Sequence, residues 1–251
     1  MTHNISVALL PTLLSPTRCR HACAIVVDVL RATSVMATAG RNGAVSVQTC
    51  SDVDQARRLA LDSETSVPPL LCGERACVPI EGFDLGNSPA EYGPDVVAGR
   101  HVLMTTSNGT RAIAVAREAQ RLLVASFLNL SATVSAIAQE TDLVIICAGT
   151  DGRISYEDVL LAGAIAQSRD SDGSATMDDS ARLAVSAWQQ VHDSGQTLAD
   201  AFRQSLGGRN LIRSGYEMDL NRCAVIDSID GIVERTATCP TDPTVATFLY
   251  R

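Results

Sequence analysis

The chain has 251 residues, 46% of them hydrophobic and 19% charged, and a formal charge of −8. That length and apolar content suffice for one large domain with a substantial core. The acidic balance argues against nucleic acid or an anionic membrane as a partner, because surfaces for either are basic.

All 20 basic residues are arginine. GC-rich coding is the ordinary reason for such a bias, but its chemical consequence holds whatever the cause. Without lysine there is no Schiff base, no pyridoxal-phosphate linkage and no Walker-type phosphate loop. A cationic grip on phosphate or carboxylate falls to arginine forks, backbone N–H groups and metal.

In chain order, the opening "MTHNISVALLPTLL" is apolar, has no basic leader and contains Pro11, so it reads as a first strand and not a signal peptide. Short Val/Ile/Leu runs follow at 24–27, 44–47, 69–72, 101–104, 122–126 and 143–147. Between them lie Ala-rich segments of helical character, such as "SDVDQARRLALD" and "GTRAIAVAREAQ". That alternation predicts an α/β fold with a mostly parallel sheet covered on both faces. Helix starts are expected where Ser51 and Asp54, Ser88 and Glu91 (with Pro89 between them), and Ser155 and Asp158 have capping-box spacing. Past residue 168, "SRDSDGSATMDDS" reads as a loop, helices follow near 180–193 and 197–206, "LGGRNLIRSG" reads as another loop and "RCAVID" as a late strand. A single domain over 1–251 accounts for this, with residues from about 170 able to form a smaller C-terminal subdomain.

Eight cysteines, at 19, 23, 50, 72, 77, 147, 223 and 239, are scattered and mostly sit in apolar runs. They form no Cys/His array of zinc spacing, so they read as buried thiols in a reducing cytoplasm. No run approaches the roughly 20 apolar residues of a membrane span.

Ligands of open α/β sheets lie outside the carboxyl ends of the strands, and four loops there are unusual. "VVDVLRATS" ends a strand on Asp28, followed by Arg31, Thr33 and Ser34. Asp28 can bind a metal, act as a base or serve as a nucleophile, or it can simply cap a helix. "GERACVPIEGFDLGNSPAEY" carries Glu74, Arg75, Asp84 and Asn87 in a long glycine-rich loop whose oxygens suit a hard cation. "TTSNGTRA" brings Ser107, Asn108, Gly109 and Thr110 to a helix start, where either anion binding or capping is served. "CAGTDGRISYEDVLLAG" adds Asp151, Glu157 and Asp158, the last two being also ordinary stabilisers of a first helical turn. A Ser-His-Asp hydrolase fits poorly: there are only four histidines and no GxSxG elbow. Together the loops suit metal-assisted chemistry on a small phosphorylated or carboxylated substrate.

The blocks "VVDVLRATS", "GER", "GFDLGNSPAEY", "TTSNGT", "ICAGTDG…SYEDVLLAG" and "GRNLIRSGYEMDLNRCAVID" resemble, in order, the 2-phosphosulfolactate phosphatase family, over roughly 22–230. The resemblance implies a three-layer α/β/α fold and a Mg²⁺-dependent phosphatase. Its substrate would be a small phosphorylated anion, 2-phospho-3-sulfolactate or a related 2-phospho carboxylic acid, on the way to coenzyme M. Two departures stand out: Ala76 and Cys77 replace a Gly-Gly pair, and Ser107 replaces a common Thr.

On that basis Mg²⁺ is expected on carboxylates drawn from Asp28, Glu74 and Asp84. Asp28, Arg31 and Glu74 are the expected catalytic set. Arg75, Asn87, Ser107, Asn108, Gly109, Thr110 and Arg209 are expected to hold the substrate. Whether Asp28 is base or nucleophile stays open, as does the oligomeric state, a homo-oligomer included. A haloacid-dehalogenase-type phosphatase is disfavoured, since Leu30 stands where its second aspartate belongs. The alternative of another class is a non-catalytic anion-binding regulatory module on the same fold.

Overall fold

The computed structural model describes residues 3–15, 17–239 and 242–251, so Met1 and Thr2 of the expected first strand lie outside it. The first half alternates as the apolar runs require. It runs β1 (Asn4–Ala8), β2 (Cys23–Val27), α1 (Ala32–Arg41), β3 (Ser46–Thr49), α2 (Val53–Leu61), β4 (Leu70–Arg75), β5 (Val78–Pro79), α3 (Pro94–Val97) and β6 (His101–Thr105). Then come α4 (Gly109–Val115), β7 (Arg121–Ala125), α5 (Leu130–Ala136), β8 (Asp142–Cys147) and α6 (Tyr156–Arg169). The second part holds β9 (Thr176–Met177), α7 (Asp179–Ser194), α8 (Leu198–Gln204), α9 (Leu206–Arg213), α10 (Glu217–Cys223), β10 (Val233–Cys239) and β11 (Asp242–Tyr250).

Two expectations past residue 168 are corrected. "LGGRNLIRSG" is mostly helix α9, capped by the Ser205 hydroxyl, which accepts from the Gly208 N–H. Gly207 is required there for closeness, since a Cβ would lie 2.3 Å from Glu157 Oε1. "RCAVID" is not a strand: α10 ends at Cys223, and Val225 and Ile226 are exposed beyond it. The capping signals place their helices, but the bonds differ. Asp52, not Ser51, accepts from the Gln55 N–H. Ser88 and Ser155 sit at N-cap positions without capping, their hydroxyls turned instead to Asp219 and Thr150.

The strands form one mixed sheet in the order β5-β4-β6-β3-β11-β10-β7-β2-β8-β1-β9. β4, β6 and β3 are parallel to one another, and so are β7, β2, β8, β1 and β9. The β10–β11 hairpin is wedged between these sets, antiparallel to β7 on one side and to β3 on the other. Three successive antiparallel joints mean that the two parallel sets run in opposite senses, which in a flat sheet would put their carboxyl ends at opposite edges.

The sheet is not flat. Strands rotate by roughly 20–25° each, and by more in two-stranded ribbons. Five such steps separate β2 from β6, enough to swing the carboxyl ends of the two sets toward each other. One face is continuous across both sets: Val26, Val124, Ile146, Phe248, Val102 and Cys72 belong to a single apolar cluster that encloses Val35 and Met36 of α1 and Ile113 of α4. The opposite face is covered by α6–α10 over β1, β2 and β8, and by α2 over β6. This is a three-layer α/β fold, mostly parallel, as expected. None of its helices is long and apolar enough to cross a membrane, among the described residues.

Candidate active site

β2 is apolar on both faces and fully buried, so the chain leaves the sheet only at Asp28, directly before α1. The turn is tied locally. The Thr33 hydroxyl donates to Asp28 O, and the Ala32 N–H donates to Asp28 Oδ1 at 3.1 Å. Asp28 is 7% exposed, and no hydrogen bond reaches its Oδ2 among the described residues. Gly109 permits this packing, because a Cβ there would lie 2.9 Å from Asp28 Oδ2 and from Ala32 Cβ.

Asp28 opens into a cleft of about 310 Å³, together with Arg31, Glu74, Asn87, Thr106, Ser107 and Asn108. Asp151, Asn210, Arg213 and Ser214 form its other wall. Loops from both parallel sets thus meet at one place, the outcome the coiled sheet allows.

Arg31 is buried, with its Nη1 donating to Asp219 Oδ2 at 2.8 Å and its guanidinium 4.2 Å from the centre of the Tyr216 ring. Its Nε and Nη2 make no protein hydrogen bond among the described residues. Asp219 is held in turn by the Ser88 hydroxyl at 2.8 Å and by Arg222 at 3.3 Å. Neither Asp219 nor Arg213 is foreseen from the sequence, although both lie in its "GRNLIRSGYEMDLNRC" block. The signal that could have found Asp219 is an acid followed three residues later by Arg222 in a short amphipathic helix, which is too common to single out.

Glu74, at the end of β4, is already well served. Its Oε2 accepts from the Cys77 N–H at 2.8 Å, and its Oε1 accepts from both the N–H and the hydroxyl of Ser107 at 3.1 Å. The loop expected to cradle a substrate anion therefore holds this carboxylate, which locks the β4–β5 turn to the β6–α4 loop.

Five of the expected residues, Asp84, Arg209, Arg75, Thr110 and Gly109, lie outside the lining of this cleft. Asp84 is exposed outside the cleft and caps the Leu71 N–H at 2.8 Å, so the trio Asp28, Glu74 and Asp84 is not assembled. Among the described residues no three His, Cys, Asp or Glu side chains are grouped to hold a metal by themselves. Arg209 is exposed and turned back on Gln204 O, and Arg213, one turn along α9, lines the cleft in its place. Arg75 and Thr110 face a neighbouring cleft. Gly109 contributes space and is not part of the cleft lining.

Three carboxylates are buried around the turn. Burial, with Glu74 and Glu157 nearby, pushes Asp28 up to about 7, against the Ala32 N–H and Arg31. Burial likewise raises Glu157, whose Oε2 has no hydrogen-bond partner among the described residues. It raises Asp158 well above the carboxylate range, helped by Glu157 and Asp28, although Asp158 accepts from the Val29 and Gly149 N–H groups.

A raised folded pKa means that the native state binds protons the unfolded chain releases. The stabilisation is complete near pH 4 and is lost as pH rises through about 7. For Asp28 alone, a shift from 3.8 to about 7 corresponds to a contribution on the order of 4 kcal/mol. In buffer free of divalent cations, the thermal midpoint is expected to rise as pH falls from about 8 to 5.5. Glu157→Gln is expected to raise the midpoint at the alkaline end and flatten that slope. A wild-type midpoint that drops over the same interval contradicts the assignment.

Comparison with known proteins identifies the family. The family model of 2-phosphosulpholactate phosphatase matches residues 8–237. A probable 2-phosphosulfolactate phosphatase of Thermotoga petrophila is 38% identical over 213 residues, 85% of this chain and 88% of the relative. The probable 2-phosphosulfolactate phosphatase of Caldanaerobacter subterraneus is 38% identical over 209 residues, 82% of this chain and 84% of its own length. One from Synechococcus sp. is 37% identical over 224 residues, covering 87% of this chain and 90% of the relative. The span of the family model, 8–237, takes in the loops of both parallel sets that line the cleft. The chain belongs to the 2-phosphosulfolactate phosphatase family of phosphoric monoester hydrolases.

Proposed function

We propose that the cleft hydrolyses 2-phospho-3-sulfolactate, or a closely related 2-phospho carboxylic acid, to the 2-hydroxy acid and phosphate, with Mg²⁺ as cofactor. The observation that carries this reading is the pairing of Arg31 with Asp28. Among the described residues, a buried guanidinium with two unengaged nitrogens shares a small cleft with a carboxylate oxygen that accepts no hydrogen bond. Such a site is built for an oxyanion next to a proton acceptor.

In this reading Arg31 orients the phosphoryl group, and Arg213 with Asn108 and Asn210 meets the carboxylate and sulfonate at the rim. Asp28 acts on water: it takes the proton as the water oxygen attacks phosphorus, and the ester P–O bond breaks. That proton passes through solvent to the departing alkoxide oxygen, which leaves as the hydroxyl, and the carboxylate is regenerated. Without the ion, burial holds this carboxyl up to about 7, where a group exchanges its proton at neutral pH. Glu74 orders the two loops that flank it.

The donor set fits Mg²⁺, which binds through one or two carboxylates plus water and substrate oxygens. Besides Asp28 Oδ2, the cleft contains buried Asn87 Oδ1 and Thr106 Oγ1, neither with a hydrogen-bond partner among the described residues. Asp28 would be the principal protein ligand, with Glu74 alongside. When bound, the ion supplies charge that polarises the phosphoryl group. A cytoplasmic setting is supported by Cys19, Cys23, Cys72, Cys147 and Cys223, which are buried free thiols.

The test is a phosphate-release panel of 2-phosphosulfolactate, 2-phospholactate and related monoesters, run with Mg²⁺ and with EDTA. Phosphosulfolactate is expected to be turned over best, by about 10-fold in kcat/KM over phospholactate, because its sulfonate adds one more charge-assisted contact. EDTA is expected to abolish turnover. Tight binding of these acids without release of phosphate in any arm would instead mark a binding module.

A further inference from the structure

A second cleft lies on the far side of Thr106 and Ser107, which form the wall between it and the catalytic cleft. It is larger, about 540 Å³, and sits outside the carboxyl ends of β3 and β6, where parallel strands usually present ligand sites. Arg75 and Arg111 both line it, with the hydroxyl residues Ser51 and Thr110.

Its charge is one-sided. No carboxylate lines it among the described residues, in a chain whose formal charge is −8. Arg75 is held in place by donating to Glu74 O at 2.7 Å and to Thr105 Oγ1 at 3.0 Å, yet it has no acidic partner among the described residues. Arg111 is exposed on α4 and makes no ion pair there either. Two guanidinium groups left uncompensated in one concave site favour an oxyanion by bidentate, charge-assisted hydrogen bonds.

The wall links the two clefts. Arg75 grips the main-chain carbonyl of Glu74, and Ser107 donates twice to the Glu74 carboxylate. An anion that draws on Arg75 therefore pulls on the residue that orders the catalytic loops.

We propose that this second cleft is a regulatory oxyanion site, taking a small phosphate-, carboxylate- or sulfonate-bearing ligand and modulating turnover through Arg75, Glu74 and Ser107. Inorganic phosphate is the probe, since it carries the recognised chemistry and is the product of the reaction under "Proposed function", on which only the kinetic arm rests.

Calorimetry of the wild-type protein with Mg²⁺ is expected to show two phosphate sites. Arg111→Glu, a surface change outside the catalytic cleft, is expected to lose one of them and to leave kcat/KM for the phosphoester unchanged. In the kinetic arm, phosphate inhibition is expected to be mixed for the wild type and purely competitive for the variant. Sulfate and 2-hydroxy acids serve as competing probes to separate inorganic from organic anions. A single phosphate site in both proteins overturns the proposal, as does loss of basal turnover in Arg111→Glu, which would make this cleft part of the catalytic site. Failure of the phosphatase reading shows differently, as absent turnover with the two-site binding intact.

Discussion

Asp28→Asn is expected to cut phosphate release by about 10²-fold or more while leaving the fold intact. The amide keeps the oxygen that accepts from the Ala32 N–H, so the turn into α1 is preserved. What it removes is the proton acceptor and the negative charge. Because that charge is buried beside Glu74 and Glu157, its removal is expected to raise the thermal midpoint at alkaline pH even as activity falls. A stabilised but inactive variant is thus the expected signature. Two further measurements separate the roles of this carboxylate. Acid quenching of wild-type protein during turnover is expected to trap no covalent phosphoryl group, since water is the attacking species. Raising Mg²⁺ is expected to refill the metal site that the amide weakens and still leave the variant slow, because a missing base is not replaced by more cation. Near-normal turnover of Asp28→Asn would overturn the assignment altogether.

Asp219→Ala is expected to be the most damaging change for stability. Asp219 and Arg31 have side chains 2% exposed, and removing one partner leaves the other buried and uncompensated. Breaking such a pair costs about 3–5 kcal/mol, and for a chain of this size that lowers the thermal midpoint by roughly 10 °C. The Ser88 hydroxyl loses its acceptor at the same time. Turnover is expected to fall as well, because Arg31 is aimed by this contact and by the face of Tyr216. Asp219→Asn, which retains an oxygen for Ser88, is expected to be milder. The double variant Arg31→Met with Asp219→Leu is expected to regain much of the stability, since apolar replacement of a buried ion pair is often neutral, but none of the activity. Wild-type stability and turnover in Asp219→Ala would show that the pair neither supports the fold nor positions Arg31.

The parallel parts of the sheet were legible because their strands are buried on both faces and so read as unbroken apolar runs: "CAIVV" and "DLVIIC" can hardly be anything else. The central hairpin was not. β11 begins "DPT", and a proline ordinarily argues against an interior strand. α9 was hidden by its two glycines, which lower helix propensity but are needed where Gly207 passes Glu157. In the site, Asp28, Arg31 and Glu74 could be picked out because each stands where an apolar strand stops. Distinguishing Asp28, with a free oxygen, from Asp84, spent on the Leu71 N–H, depends on side-chain direction in a long loop. Linear spacing carries no information about that. Arg213 and Asp219 reach the cleft from helices that fold over it late in the chain, and only tertiary packing brings them there.

The wedged hairpin has a consequence for the order in which the molecule can be built. β3 and β7 lie on either side of β10 and β11, so Val47 finds its neighbour Phe248 only across most of the chain, and Val124 its neighbour Val233 across nearly half of it. Until residue 233 is synthesised, β3 and β7 each lack the strand that pairs with their inner edge, and no backbone hydrogen bonds join the two parallel sets. Such long-range pairing is slow, and open strand edges invite association with other chains. Catalytic competence therefore arrives in one late step, when the last two strands slot in and join the halves.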